Sequence, residues 1–415
     1  MKILHLSTYD IAGGAAIAAS RIHRAMKKAD LDSQMLVLSK SSHDNLILSV
    51  SKFERKLYTP LRNRLESKLK GQIKQEYGWF SYAKCGVDIS GFEAFKQADI
   101  VYIHWVQASF ISLSGIEKII KSGKRIVFFL HDMWHITGGC HHSFECNKYK
   151  TCCNSCQMFA SRKLKDISYI QFERKRKIFE KYNNISFISP SQWLTQCIRE
   201  SPFSINKPVA RIPVPLDFSV YKPLNKDVAR DIFNLPHDKK LVCFGADGGA
   251  ANPYKGWSYM EKTLQNLKHD NEKNIEAVIF GSYLNQKIVN SVPFPVHFMG
   301  RLHDAFSLAV LYSAVDVYVS PTLADNFPQI CLESLACGTP VVGFNIGGVP
   351  DMVDHMKNGY LAVYKNSEDF ADGIRYILNA DNYEELSQNA RSKAISLSSE
   401  TIVIEQHMSF LKSLK

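Results

Sequence analysis

No stretch of this 415-residue chain is apolar for long enough to cross a bilayer as a helix. The opening MKILHLSTYD lacks the small-residue cleavage site of a signal peptide and reads as a buried strand, so a soluble, cytoplasmic protein is expected. The loop after that strand has no GxGxxG spacing, which argues against a nicotinamide dinucleotide site. The only Asp-x-Asp, Asp30 to Asp32, falls in a turn between the first helix and the second strand and reads as solvated loop. Internal repeats and low-complexity tracts are absent. Ten cysteines without an export signal argue against a disulfide scaffold.

Negative charge is in deficit, with 40 acidic residues against 51 lysines and arginines and a formal charge of +11. The excess is uneven. One basic run spans Lys52 to Lys74, with Phe53, Leu57, Tyr58, Leu61 and Leu65 interleaved, and a second spans Arg162 to Lys181. Both read as basic amphipathic helices, a pattern that suits anionic lipid, nucleic acid or plain solvation.

The length exceeds what one core organises, so two domains of similar size are expected. Short Val/Ile/Phe-rich runs alternate with helical patterns, at 2–7, 34–39, 99–104, 125–130 and 185–189, then at 240–246, 276–281, 296–300, 315–321 and 340–344. Continuous apolar runs suit parallel strands buried on both faces, which predicts two doubly wound α/β domains. Pro213, Pro215 and Pro223 mark the boundary. The division is 1–213, 214–398 and a last helix over 399–415 that needs a partner surface, with Ile402, Ile404, Met408, Leu411 and Leu414 on one side.

Ligands of open α/β sheets bind beyond the carboxyl ends of the strands. There the first half places Gly13 and Gly14, where backbone can approach a ligand and a helix opens its N–H groups, and the histidines His104 and His131. The second half places Gly245, Gly248 and Gly249, then Lys255 just before a helix, where a lysine can neutralise phosphate without a metal ion. In "LADNFPQICLESLACGTPVVGF", Asp325 sits on the loop after a strand and Glu333 in the first two turns of the next helix. Two carboxylates so placed accept hydrogen bonds from vicinal hydroxyls, as a sugar and a ribose offer.

The segment from Ser320 to Val353 resembles the donor-binding motif of glycosyltransferase family 4, retaining enzymes of the GT-B fold, in which seven residues separate two acids. "FISPSQWL", "IPVPLDFSVYKP", "YKGW" and "FMGRLHDAFSLAVLYSAVDVYVSPT" match in the family's order, and "HDMWHITGGCHHSFECNKYKTCCNSC" looks like its exopolysaccharide and O-antigen branch. The resemblance implies two Rossmann-like domains facing a central cleft, the first on the acceptor side and the second binding nucleotide sugar. Glu333 would hold the ribose, and Asp325 with the loop at Asn326 and Phe327 the donor sugar. Lys255 would bind the diphosphate, with Arg301 as a second cation. Gly13 and Gly14 would approach phosphate or acceptor, and His131 the reacting sugar. No catalytic metal is implied. The acceptor expected is a lipid-linked saccharide at an anionic membrane's inner face, in polysaccharide, capsule or O-antigen assembly, with no nucleic acid partner. Two departures stand out: Asp325 replaces the usual glutamate, and Ala246 stands where many members carry arginine. A sugar-nucleotide epimerase of the same fold, a silent sugar-binding protein and a nucleic-acid-binding module are the alternatives.

Cys140, Cys146, Cys152, Cys153 and Cys156 crowd one segment, 140–156. The Cys153-x-x-Cys156 spacing suits a metal, and Cys140 with Cys146 would complete a structural zinc site; free thiols, or disulfides formed only on oxidation, are the competing readings.

Overall fold

A strand whose side chains are all apolar needs cover on both faces and takes its place inside a parallel sheet. The structure, a computed structural model, describes residues 1–414 apart from 72, 75–77, 160–162, 246–252, 270–273, 282–285 and 303. Arg162, Ala246, Gly248 and Gly249 therefore lie outside the described residues. The strands among the described residues are β1 (Lys2–Tyr9), β2 (Asp32–Ser39), β3 (Ile47–Ser49), β4 (Ile100–Ile103), β5 (Arg125–Phe129), β6 (Ile185–Ser189) and β7 (Val209–Arg211). They continue with β8 (Lys240–Gly245), β9 (Ile275–Phe280), β10 (Val296–Gly300), β11 (Val317–Ser320), β12 (Val341–Phe344) and β13 (Gly359–Ala362). The ten expected strands are all present. The three that the apolar pattern did not announce, β3, β7 and β13, are three or four residues long, and β3, β7 and β13 each lie at a sheet edge, where half the cover suffices.

Two wholly parallel sheets result, ordered β3-β2-β1-β4-β5-β6-β7 and β10-β9-β8-β11-β12-β13. The order reverses between β1 and β4 and again between β8 and β11, the places where this class of sheet opens a crevice at the strand ends. The chain divides into two compact units, Met1–Pro215 with Val403–Lys415, and Leu216–Ile402.

In the first unit Leu6, Ile103, Phe128 and Phe187 are wholly buried on the central strands, each stabilising the unit by about 1.5–3 kcal/mol. Its helices start where a side-chain oxygen can accept a free N–H: Ser112, Asp166 and Ser191 cap the helices Leu113–Lys121, Ile167–Lys181 and Gln192–Arg199. In the second unit Val242, Phe244, Val317, Val319, Val342 and Phe344 form the corresponding core. Asp304 and Asn366 cap the helices Ala305–Ala314 and Ser367–Leu378.

The last helix runs from Glu400 to Ser413. It buries Val403, Ile404, His407 and Leu411, whereas Ile402 is exposed and Met408 only part-buried. The buried face is rotated from the purely apolar one because Tyr102 Oη meets His407 Nδ1 at 3.1 Å and draws a histidine inward.

The two basic runs diverge. In the first, a π-helical turn (Glu54–Tyr58) leads into the helix Thr59–Lys70, and Phe53, Leu57, Tyr58, Leu61, Leu65 and Leu69 are all exposed. The second forms the helix Ile167–Lys181, which buries Phe172, Ile178 and Phe179 together with Lys175. Among the described residues no helix is long and apolar enough to cross a membrane.

Candidate active site

In the second unit β8 and β11 are paired neighbours. Lys255 ends a 3-10 turn, Pro253–Lys255, just before the helix Trp257–His269, and Asp325 lies on the loop between β11 and the helix Gln329–Ala336. Lys255 Nζ donates to Asp325 Oδ2 at 2.9 Å, with both side chains about three-quarters covered. Burial pulls the lysine's pKa down, but Asp325 outweighs it and holds it above the ordinary value. The cation is therefore secured beside a strand end.

Two glycines make this approach feasible. Gly256 has φ +76, and a Cβ there would lie 1.8 Å from the carbonyl oxygen of Pro321. Gly347, at φ +59, packs against the Asp325 backbone so closely that a Cβ would lie 2.1 Å from its carbonyl oxygen. That oxygen accepts the N–H of Gly348 at 3.1 Å, which fixes the loop.

Glu333 is buried in the second turn of its helix, and Tyr312 Oη donates to its carboxylate at 3.0 Å. The thiol of Cys331, raised to about 12 chiefly by burial, feels Asp325, Lys255 and Glu333 together, so the three charges share one neighbourhood. Asn326 and Phe327 are buried, and Phe327 contributes a packed ring rather than an open face. Arg301 follows β10 directly and is exposed.

In the first unit β1, β4 and β5 are adjacent and end beside one another. Gly13, at φ +88, precedes the helix Gly14–Lys28, and neither glycine has an atom within 4 Å of where a Cβ would stand. His104 follows β4, and His131 follows β5 by two residues. His104 Nδ1 lies 2.9 Å from His131 Nε2. Burial lowers the pKa of His131 to about 4, with Asp132 opposing, so its imidazole is neutral near pH 7. Burial would raise Asp132, but His141 Nδ1 at 2.6 Å and the N–H of Trp134 at 2.8 Å hold it well below the carboxylate range. His141 Nε2 meets Ser81 Oγ at 2.9 Å. Ser81 in turn lines a cavity of about 430 Å³ with Asn63, Glu66, Trp79 and Trp105.

A structural zinc at Cys140, Cys146, Cys153 and Cys156 finds no support in the structure. Among the described residues no group of three or more His, Cys, Asp or Glu side chains is placed to hold a metal ion, and all ten cysteines are free thiols. Cys140, Cys153 and Cys156 pack into the apolar surroundings of this segment. Cys140 and Cys156 pack against Phe80, Met158 and Phe159, and Cys153 Sγ accepts the N–H of Gly138 at 3.2 Å. Burial raises the Cys140 thiol to about 12 and raises Cys153 and Cys156 as well, with neighbouring cysteines adding to the shift.

The structure thus unites Lys255 with Asp325 and places Glu333 near them, while Gly13, Gly14 and His131 belong to the other unit. Sequence reasoning missed Tyr312, His5 and the Asp132–His141 pair. Asp132 and the histidines are visible as residues, but only folding makes them partners.

Residues 225–393 match the family model described as glycosyl transferases group 1. A relative from Methanocaldococcus jannaschii named "Uncharacterized glycosyltransferase MJ1607" is 24% identical over 74% of this chain and 81% of its own length. An "Uncharacterized glycosyltransferase" of Haemophilus influenzae is 28% identical over 37% of this chain, which spans less than half, 44%, of that relative. A D-inositol 3-phosphate glycosyltransferase of Mycobacteroides abscessus is 29% identical over 39% of this chain and 37% of its own length. Among solved structures, sucrose-phosphate synthase from Thermosynechococcus elongatus superposes with a TM-score of 0.70 at 17% identity, covering 100% of this chain and 99% of that one. Anabaena Alr3699/HepE in complex with UDP and glucose superposes at 0.66 and 16% identity, with full coverage of both chains. The chain therefore has the GT-B fold, residues 225–393 match a group 1 glycosyl transferase domain, and these findings together support a glycosyltransferase.

Proposed function

We propose that the protein is a retaining glycosyltransferase that moves a sugar from a nucleoside diphosphate sugar to a lipid-linked saccharide in bacterial surface polysaccharide assembly. The observation that carries this reading is the grouping of Lys255, Asp325 and Glu333 at the β8/β11 switch point, inside the segment that matches the glycosyltransferase domain. Glu333, oriented by Tyr312, accepts hydrogen bonds from the ribose hydroxyls. Lys255 takes the diphosphate as negative charge grows on it, and Asp325, released from its lysine, accepts from the donor sugar. Arg301 is a second cation, and the loop at Asn326 and Phe327 lines the donor sugar. Such preorganised charge is worth more at a covered strand end than in water. Gly13 and Gly14 leave room for phosphate or acceptor before a helix N-terminus, and His131 meets the reacting sugar, which passes through an oxocarbenium-like state.

The acceptor assignment rests on the first unit. Its cavity joins Trp79 and Trp105 to Asn63, Glu66 and Ser81, a mixture of flat apolar faces and hydrogen-bonding groups that suits a saccharide. The exposed apolar stripe of the helix at 52–70, set among lysines and arginines, suits the surface of an anionic membrane. The HepE complex with UDP and glucose makes a uridine nucleotide the first donor to try.

The experiment is a thermal shift of the full chain with nucleoside diphosphates and their sugars, run beside Glu333→Ala. A ligand at about 100 times its Kd adds about 2.7 kcal/mol of stability, and the variant should lose that response. Failure of every nucleotide to stabilise the wild type would sink the reading. A donor sugar isomerised without any acceptor would point to the epimerase instead.

A further inference from the structure

Three histidines form one hydrogen-bonded line through the first unit. His131 Nε2 lies 2.9 Å from His104 Nδ1, and His104 Nε2 lies 2.9 Å from His5 Nδ1. Neighbouring ring centres are 5.2 Å apart in both pairs. His5 and His104 have no solvent exposure. At the inner end, His5 Nε2 has no hydrogen-bond partner among the described residues, and neither do Nε2 of His23 and Nε2 of His407 nearby.

Each nitrogen-to-nitrogen contact holds one proton, so the tautomers are fixed in series. If His131 donates from Nε2, then His104 must donate from Nε2 as well, and His5 is left with an N–H aimed at nothing. If His5 donates from Nδ1, then His104 donates from Nδ1 and His131 accepts at Nε2. The inner end is then a bare lone pair. A buried N–H without an acceptor is the rarer and costlier orphan, which favours the second arrangement.

We propose that His5, acting through His104, sets the tautomer and orientation of His131, so that His131 keeps Nε2 filled and carries its proton on Nδ1. His5 and His104 are positioning residues, and the proposal rests on the reading of His131 as the residue that meets the reacting sugar. Burial keeps all three rings neutral, lowering His131 to about 4 and His5 and His104 well below the ordinary value, so the series is not broken by an extra proton near neutral pH. The consequence is chemical. With Nε2 occupied, His131 offers an N–H and no basic lone pair, so it serves transfer as a hydrogen-bond donor and not as a general base.

The test uses the full chain labelled with 15N-histidine, its ring signals assigned by their loss in His131→Gln and His5→Leu. Long-range proton–nitrogen spectra of the wild type should show Nδ1 of His131 protonated and Nε2 bare. In His5→Leu the single tautomer of His131 should give way to a mixture. The turnover of nucleotide sugar should fall about tenfold with KM changed less than about twofold, equivalent to about 1.4 kcal/mol in the transition state alone. His5→Asn, whose amide reaches the place of Nδ1, should restore most of both. A wild-type His131 protonated on Nε2 overturns the proposal, as does a folded His5→Leu in which the tautomer of His131 is unchanged. If His5→Leu does not fold, the wild-type spectrum alone decides. A wild type that uses no nucleotide sugar counts against the proposed function, and the spectrum still judges the histidine line.

Discussion

Gly256 stands between Lys255 and the helix that follows it, and its place explains why a lysine at that position can reach Asp325. A side chain there would press on the Pro321 carbonyl oxygen at 1.8 Å while holding φ at +76. The left-handed backbone alone costs about 1–3 kcal/mol in a residue with a Cβ, and the overlap forces the turn away from β11. Gly256→Ala should therefore weaken nucleoside diphosphate binding at least tenfold, about 1.4 kcal/mol, measured by titration calorimetry. Unchanged affinity would mean that the Lys255 turn does not touch the ligand. The sequence displays Lys255, Asp325 and Glu333 as residue types at suggestive spacings, and it displays "YKGW" as a motif. It does not display that Gly256 touches Pro321, because contact across two strand ends follows from the pairing of β8 with β11.

At the scale of elements, the helix Ile167–Lys181 shows how a charge pattern can mislead. Its lysines and arginines read as a basic face for lipid, nucleic acid or solvent, yet Lys175 is wholly buried, over the ring of Trp134 at 3.6 Å. Its Nζ donates to the carbonyl oxygens of Trp134 and of Thr137, the latter at 3.0 Å. Burial lowers its pKa to about 7, with Cys153, Cys140 and Asp132 opposing. A neutral amine still has two N–H groups for the two carbonyls. The unfolded chain binds the proton up to about pH 10.4, the folded chain only up to about 7, so stability gains with rising pH between those limits. Compared with Lys175→Met, the wild type should therefore gain on the order of 1 kcal/mol per pH unit across that window, read from urea unfolding at pH 7, 8 and 9. A flat difference between the two proteins would show that Lys175 keeps its proton when buried. That this run forms an amphipathic helix was legible in the sequence; the fate of one lysine depended on the loop from Trp134 to Thr137 folding over it.

At the scale of the whole molecule, the proposed membrane contact rests on the formal charge of +11 and the exposed stripe from Phe53 to Leu69. Each basic residue near an anionic surface adds about 1 kcal/mol, and apolar side chains on such a helix face can bury themselves in the interface. The chain should float with vesicles containing phosphatidylglycerol and not with neutral phosphatidylcholine, and Leu61→Glu with Leu65→Glu should abolish most of the binding. Salt-sensitive binding to duplex DNA with none to the vesicles would favour the nucleic-acid reading instead.

What the sequence determined by itself was whatever recurs within a few residues. Unbroken apolar runs called for parallel strands, prolines called for a division after residue 213, and seven residues between two acids set one on a loop and the other in the helix that follows it. What only the tertiary structure decided were the partnerships between distant positions. Lys255 and Asp325 are 70 residues apart, His5 and His104 are 99 apart, and Tyr102 and His407 are 305 apart. The same holds for Cys140 and Cys156, which the fold packs against Phe80, Met158 and Phe159. Local periodicity is set by backbone geometry that repeats every two or 3.6 residues. A contact between remote side chains is set by the order in which strands assemble, and no local pattern carries that order.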